Sequence, residues 1–228
     1  DEDFQVVSFL TKNGHWTLSF SPSLAKTIFS TPEETFHYNL VPLGIIIVNG
    51  EIRSFGGAVK DRSGQIILAK EEIPSVLSGV KLTIISSDKI TLSSHLIHQG
   101  VKWVNGIPYV KDSNSELIIF STGKDFLDDS KKEGKIIIDR NSPEEIKIQA
   151  SLTAPDKGLS IEGEQKTVHL LGSLQASYYS SNENRLRIKF DERTLERLED
   201  DILDQNAPKT TKPVLCLSFL KPIEWKEI

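Results

Sequence analysis

The sequence predicts a mainly β chain, a parallel β-helix or β-solenoid-like body whose short strands stack in successive coils between terminal caps. Three observations predict it. First, β-branched runs recur from residue 44 onward: GIIIV (44–48), QIIL (65–68), LTII (82–85), LIIF (117–120), KIII (135–138), IKIQA (146–150) and TVHLL (167–171). Such residues suit a pleated, packed surface, and apolar residues at successive positions suit strands covered on both faces. Second, several runs end alike, in small or polar residues followed by another apolar one. With Val48, Ile85, Phe120, Ile148 and Leu171 as anchors, the repeat is 37, 35, 28 and 23 residues. An imperfect repeat of roughly 20–40 residues marks stacked units, none of which buries its apolar face alone. Third, helical periodicity is nearly absent before residue 191.

Taken in order, residues 1–43 give two strands, FQVVSFL and HWTLSF, and then an irregular connector broken by Pro22, Pro32 and Pro42. SLAKTIFS is the one place here where a short helix fits. This stretch is expected to cap the stack at its N-terminal end. Residues 44–190 form the stacked body. Small residues after each run allow a corner. The excess length of the early coils is expected in two loops, SFGGAVKDRSG (54–64) and HQGVKWVNGIPYVKDSNSE (98–116), of a size that often binds. In DERTLERLEDDILDQ (191–205), Leu195, Leu198, Ile202 and Leu203 share one stripe, which predicts an amphipathic helix of about three turns. A linker, APKTTKP, and a last strand, VLCLSFL, follow, so residues 191–228 read as the C-terminal cap. Within LGSLQASYYSSNENRLRIKFDERTL (171–195), LGSLQ is expected to be the edge of the last coil. YYSSNEN turns the chain out, and LRIKFDERTL begins the cap, with Tyr178, Tyr179, Asp191 and Arg193 serving closure.

Composition narrows the function classes. The 228 residues carry a net charge of −5, which argues against a nucleic-acid surface, since phosphate binding needs a concentrated basic face. No apolar run approaches the ~18 residues of a membrane span, and no signal peptide is visible. Met is absent throughout, which reads as a piece of a longer product. Cys216 is the single cysteine, so no intramolecular disulfide forms. Inside VLCLSFL it reads as a small buried hydrophobe, compatible with a cytosolic protein or with an exported one that does not rely on disulfides.

The order IIIVNGEIR, LTIISSDKITLSSHLIHQG, ELIIFSTGKDF, IIIDRNSPEEIKIQASLTAPDKGLSIEG and VHLLGSLQASYYSSNENRLRIKFDERTL resembles a bacterial extracytoplasmic domain of type IV pilus-associated, minor-pilin-like proteins. The resemblance spans roughly residues 44–195. It implies a right-handed β-solenoid on a pilus-like or cell-surface protein, structural or adhesive rather than catalytic. Its partners would be other pilus or envelope proteins and surface glycans, and no cofactor is implied. Members carry an N-terminal pilin-type apolar helix. This chain shows none, and the missing Met is compatible with such a segment upstream of Asp1.

The chemistry-bearing residues are weighed one by one. His95 and His98 would share a face only on a helix, and this region reads as strand and turn, so they are expected as polar residues at a coil edge rather than as metal ligands. Asp125, Asp128 and Asp129 lack the regular oxygen spacing of a calcium loop and read as a solvated charged loop. Asp139, Arg140, Arg187, Asp191 and Arg193 would have to converge to form a lyase-like groove, and turn hydrogen bonds or an internal ion pair account for them more simply. The 32 acidic residues guarantee chance carboxylate pairs, and no GxSxG or GxGxxG motif is present. Among the aromatics Trp16, Trp103, Tyr109, Tyr178 and Tyr179, the pair Trp103 and Tyr109 in the long loop is the preferred contact surface, against the simpler role of packing that loop onto the body. The leading expectation is therefore a non-catalytic surface module. The alternatives are a polysaccharide-active β-helix lyase or hydrolase, and a solenoid that polymerises into filaments.

Overall fold

The computed structural model describes residues 4–12, 14–39, 44–110, 113–181, 183–191 and 193. The predicted helix at 191–205 and strand VLCLSFL, with Cys216, lie outside them apart from their first residues, Asp191 and Arg193. The protein is mainly β with extensive parallel sheet.

The N-terminal stretch is an antiparallel meander of β1 (Gln5–Thr11), β2 (Gly14–Ser21), β3 (Lys26–Ser30) and β4 (Thr35–Tyr38). The expected irregular connector thus supplies two more strands, and the residues suspected of a helix supply β3. The β-branched and aromatic character of KTIFS wins there, with Thr27 and Phe29 buried and their neighbours outward. Val7, Leu18, Phe20 and Phe29 join the main core. Gln5 fixes the docking: its amide donates to the Ser75 carbonyl at 3.1 Å, and its oxygen accepts the Leu77 N–H at 2.9 Å.

The chain then runs through β5 (Ile45–Val48), β6 (Ile52–Phe55), a hairpin of β7 (Ala58–Lys60) and β8 (Ile66–Leu68), and β9 (Pro74–Val76). Next come β10 (Lys81–Ser86), β11 (Ile90–Leu92), β12 (Ile97–His98), a hairpin of β13 (Val101–Val104) and β14 (Ile107–Val110), and β15 (Glu116–Ser121). The last are β16 (Lys135–Ile138), β17 (Glu145–Ala154), β18 (Gly158–Ile161), β19 (Thr167–Ala176), β20 (Tyr179–Ser181) and β21 (Arg185–Lys189). Two parallel sheets take eleven of these strands in alternation, and β7–β8, β9–β12 and β13–β14 form two-stranded pairs of their own. One is ordered β21-β19-β17-β15-β10-β5 and the other β20-β18-β16-β11-β6. The strand QIIL is an exception: it is β8 of the exposed hairpin.

Register sets the core. Ile46, Ile84, Ile119, Leu152 and Leu174 stand side by side in the six-stranded sheet, at separations of 38, 35, 33 and 22 residues. Facing them from the five-stranded sheet, Ile90, Ile136 and Leu159 pair in register and are fully buried. Fully burying each such side chain contributes roughly 1.5–3 kcal/mol. Of the anchors expected from sequence, Ile85 and Phe120 do stand side by side, while the later ones are displaced: Phe120 stands beside Thr153, not Ile148, and Thr153 beside Gln175, not Leu171. An apolar run alone does not mark which residue faces inward. The shortening repeat has the expected origin, since the β7–β8 hairpin lies between β5 and β10, and the β13–β14 hairpin between β10 and β15.

Corners are fixed by polar contacts between successive layers. Ser86, buried beside Val48 and Ser121, donates its hydroxyl to the Gly50 carbonyl, and Ser121 donates to the Asp88 carbonyl at 2.9 Å. At the far end Asn184 is buried: it accepts the Lys166 N–H at 2.7 Å and donates to the carbonyls of Ile161 and Gly163. The expected exit at YYSSNEN is accordingly a further layer. β20 pairs with β18, the chain turns at Asn184, and β21 pairs with β19.

β17 and β19 each continue through a bend. Gly172 there has φ +146°, and a Cβ on it would lie 2.1 Å from the Ala150 carbonyl oxygen of the neighbouring strand. Gly50 has nearly the same φ, +147°, with open space around it. Gly172→Ala is therefore expected to lower unfolding stability by at least ~2 kcal/mol more than Gly50→Ala, because only the first adds a backbone clash to the φ strain. Urea unfolding of the two variants measures the difference; equal losses would show that the strands spread apart without cost.

Candidate functional site

The first half of β17 reaches beyond β15, and its neighbour on that side is the segment around β12. The Leu96 N–H donates to the Lys147 carbonyl and the Gln149 N–H to the Leu96 carbonyl, both at 2.9 Å. β12 in turn pairs with β9. On the other side β17 pairs with β19, and β19 with β21. Inward positions here hold Ile146, Ile148, Val168 and Leu170. Because side chains alternate along a strand, the outward positions carry His95, Lys147, His169 and Arg187 in one file. Outward residues of a sheet are ordinarily solvated, yet the first three are nearly inaccessible, and only Arg187 is exposed.

Part of the cover is the β13–β14 hairpin. Asn105 and Gly106 are its two-residue turn, with φ of +51° and +73°, the positive pair that an Asn-Gly hairpin turn requires. Trp103 sits opposite Pro108, and both turn toward the sheet. The Trp103 ring meets the His169 ring edge-on, centroids 6.0 Å apart at 67°. Gly106 presses on the same imidazole: a Cβ there would lie 2.3 Å from His169 Cε1. Between hairpin and sheet lies a cleft of about 190 Å³ bordered by Trp103, Ile107, Pro108, His169, Arg187 and Lys189, with Gly106, Leu170 and Ile188.

The electrostatics follow from burial. The buried Lys147 ammonium pairs with Glu72. Its backbone N–H donates to His95 Nδ1 at 3.1 Å, which requires that nitrogen to be unprotonated. Burial lowers the His95 pKa; the Glu72 charge opposes this in part, and the Lys147 charge adds a smaller lowering. Burial likewise lowers the His169 pKa, with Arg187 and Lys147 acting in the same direction and Glu145 against it. The Gly106 backbone lies beside the ring and raises it slightly, but outside hydrogen-bonding geometry; neither His169 nitrogen has a partner, nor has Trp103 Nε1. Each buried polar group left in that state costs about 1–3 kcal/mol.

The residues singled out from sequence fall as follows. Trp103 packs the hairpin down, while Tyr109, one residue past Trp103's partner Pro108, points away and is 57% exposed. The expected joint platform does not form, because neighbouring strand residues face opposite sides. His95 and His98 are buried, not at an edge, since the chain between Ser94 and Gln99 is itself part of the sheet. Asp191 and Arg193 form a two-point ion pair, and Arg193 also donates to the Ser113 carbonyl at 2.8 Å. Asp139 caps the turn after β16 by accepting the Asn141 N–H, and Arg187 lies in the other sheet. Tyr178 and Tyr179 are exposed, and closure there comes from the Tyr178 carbonyl accepting the Leu159 N–H. Asp125 and Asp128 hold their loop by accepting the N–H groups of Leu127 and Ser130. Among the described residues no three His, Cys, Asp or Glu side chains gather as metal ligands, and no helix is long and apolar enough to cross a membrane. His169 was missed from sequence; its signal was a titratable residue at an alternating position of an otherwise apolar strand.

No known protein family, curated protein or solved structure matches this chain.

Two histidines held neutral give the fold a pH dependence with a definite sign. Their folded pKa values lie below the unfolded 6.5, so the stability linked to their neutral forms is complete above about pH 6.5 and is lost as pH falls through the folded values. The urea midpoint is expected to fall between pH 7.5 and 5.5, and to fall less in His169→Phe, which keeps a ring against Trp103. Equal slopes for the variant and the native chain would remove His169 from this account.

Proposed function

We propose that the chain is a non-catalytic surface module of a type IV pilus-like or cell-envelope protein, built as a right-handed β-solenoid and acting through protein or surface contacts. The alternation of strands between two parallel sheets supports the solenoid, with the row β9-β12-β17-β19-β21 as a third side. Right-handed crossovers are the strong default for such connections. The observation that carries the contact role is the outer face of the β13–β14 hairpin. Val104, Ile107 and Tyr109 are 42, 50 and 57% exposed and share the face turned away from Trp103, with Lys102 opposite Tyr109. Such surfaces mark interfaces.

A lyase or hydrolase would place carboxylates across its groove, whereas the residues bordering the cleft include no Asp or Glu. The filament reading draws on a different observation: β21 has no further partner among the described residues, and Ile188 and Phe190 beside it are 52 and 47% exposed.

Cosedimentation of the purified chain with envelope fragments from the cells that make it tests the contact role. The native chain is expected to sediment, and Val104→Ser/Tyr109→Ser to bind at least ~10-fold more weakly with an unchanged melting temperature, as loss of two interface anchors outside the cleft implies. Equal binding by the variant would overturn the assignment to this face. Length-heterogeneous polymers in electron micrographs would favour the filament.

A further inference from the structure

We propose that the cleft beneath the β13–β14 hairpin binds one carboxylate-bearing sugar residue of an acidic glycan. This rests on the contact reading and gives it a ligand class. Three features define the ligand. Its charge is negative: the groups bordering the cleft are neutral or cationic, and neither Arg187 nor Lys189 forms an ion pair among the described residues. Glu145 acts on His169 from β17, but it does not border the cleft. Its body is amphipathic: Trp103 and Pro108 form an apolar wall, and an indole suits the carbon–hydrogen face of a pyranose. It carries acceptors: the Trp103 indole N–H is a donor only and has no partner, and the His169 nitrogens beside it have none.

Size selects among anions. The cleft's 190 Å³ is below the roughly 300–1,000 Å³ of pockets that enclose a whole ligand, so it takes one ring of a longer chain. An aspartate or glutamate side chain, or a bare inorganic anion, would meet Arg187 and Lys189 but leave the tryptophan wall uncovered. The indole and imidazole nitrogens are closed over beneath the hairpin. The hairpin is hydrogen-bonded in a two-stranded sheet of its own, and binding requires it to lift slightly so that a ligand oxygen reaches them.

The test uses the full chain labelled with ¹⁵N, following the Trp103 indole N–H resonance, which Trp103→Phe identifies. D-glucuronate, D-glucose and acetate are titrated at matched ionic strength. A saturable shift with glucuronate is expected, at least ~10-fold weaker with glucose and with acetate. Arg187→Gln/Lys189→Gln is expected to weaken glucuronate binding at least ~10-fold at an unchanged melting temperature. No saturable shift, or equal responses to glucuronate and glucose, overturns the proposal; equal responses to glucuronate and acetate reduce it to a bare anion site and overturn it too. Glucuronate binding by a chain that fails to sediment with envelopes would uphold the site and sink the contact reading. Sedimentation without any glucuronate response would do the reverse.

Discussion

The structure depends on in-register stacking of branched aliphatic side chains between parallel strands. Ile46, Ile84, Ile119, Leu152 and Leu174 each touch their counterparts in adjacent layers, and a single layer of four-residue strands would bury almost none of that surface. Stability is therefore cooperative along the stack. Polar groups at several corners bridge successive turns. Ser86, Ser121 and Asn184 sit where the backbone leaves one sheet for the next, and their hydrogen bonds hold one turn's carbonyls against the next turn's side chains. Any misregister would strand these groups in a dry interior, so the corners select the register that the aliphatic columns stabilise.

The longer strands were legible in the sequence because their β-branched runs are long enough to show. The strands of the second sheet were mostly not. Ile90–Leu92 has three residues and Gly158–Ile161 opens on a glycine, so neither gives a run that stands out from a loop. Register was legible only in outline. Composition shows that LIIF is a strand but not that Ile119, rather than Phe120, faces the core, because both faces carry apolar residues. The N-terminal meander was half seen: prolines flank KTIFS and TFHY and made them look like a connector. The hairpin was the avoidable miss, since VKWVNGIPYV has the Asn-Gly turn between two β-prone runs that signals a two-residue hairpin.

The candidate site was harder to read because it depends on contacts between distant residues. Trp103 was noticed for its chemistry, but its partner His169 lies 66 residues on, and only the pairing of β17 with β19 brings that imidazole beneath the hairpin. The same holds for Lys147, whose counter-ion Glu72 belongs to an earlier layer. In each case a polar residue on a strand's outward face is buried by chain inserted between other strands. Alternation along the strand predicts the direction of the side chain, not what comes to cover it.

In that arrangement extra chain between two strands leaves the sheets at a corner and returns without disturbing the core. The β7–β8 and β13–β14 hairpins are both such excursions, with different outcomes. The first is exposed along β7. The second lies back across the outward file at His169 and leaves a gap where the sheet carries Arg187 and Lys189. The core columns are nearly all Ile and Leu and offer no chemistry. The outward file and the inserted hairpin hold the charge, the aromatic ring and the unpartnered nitrogens. The recognition proposed for this molecule therefore rests on the inserted chain and the strand face beneath it, while the stacked sheets hold the two in register.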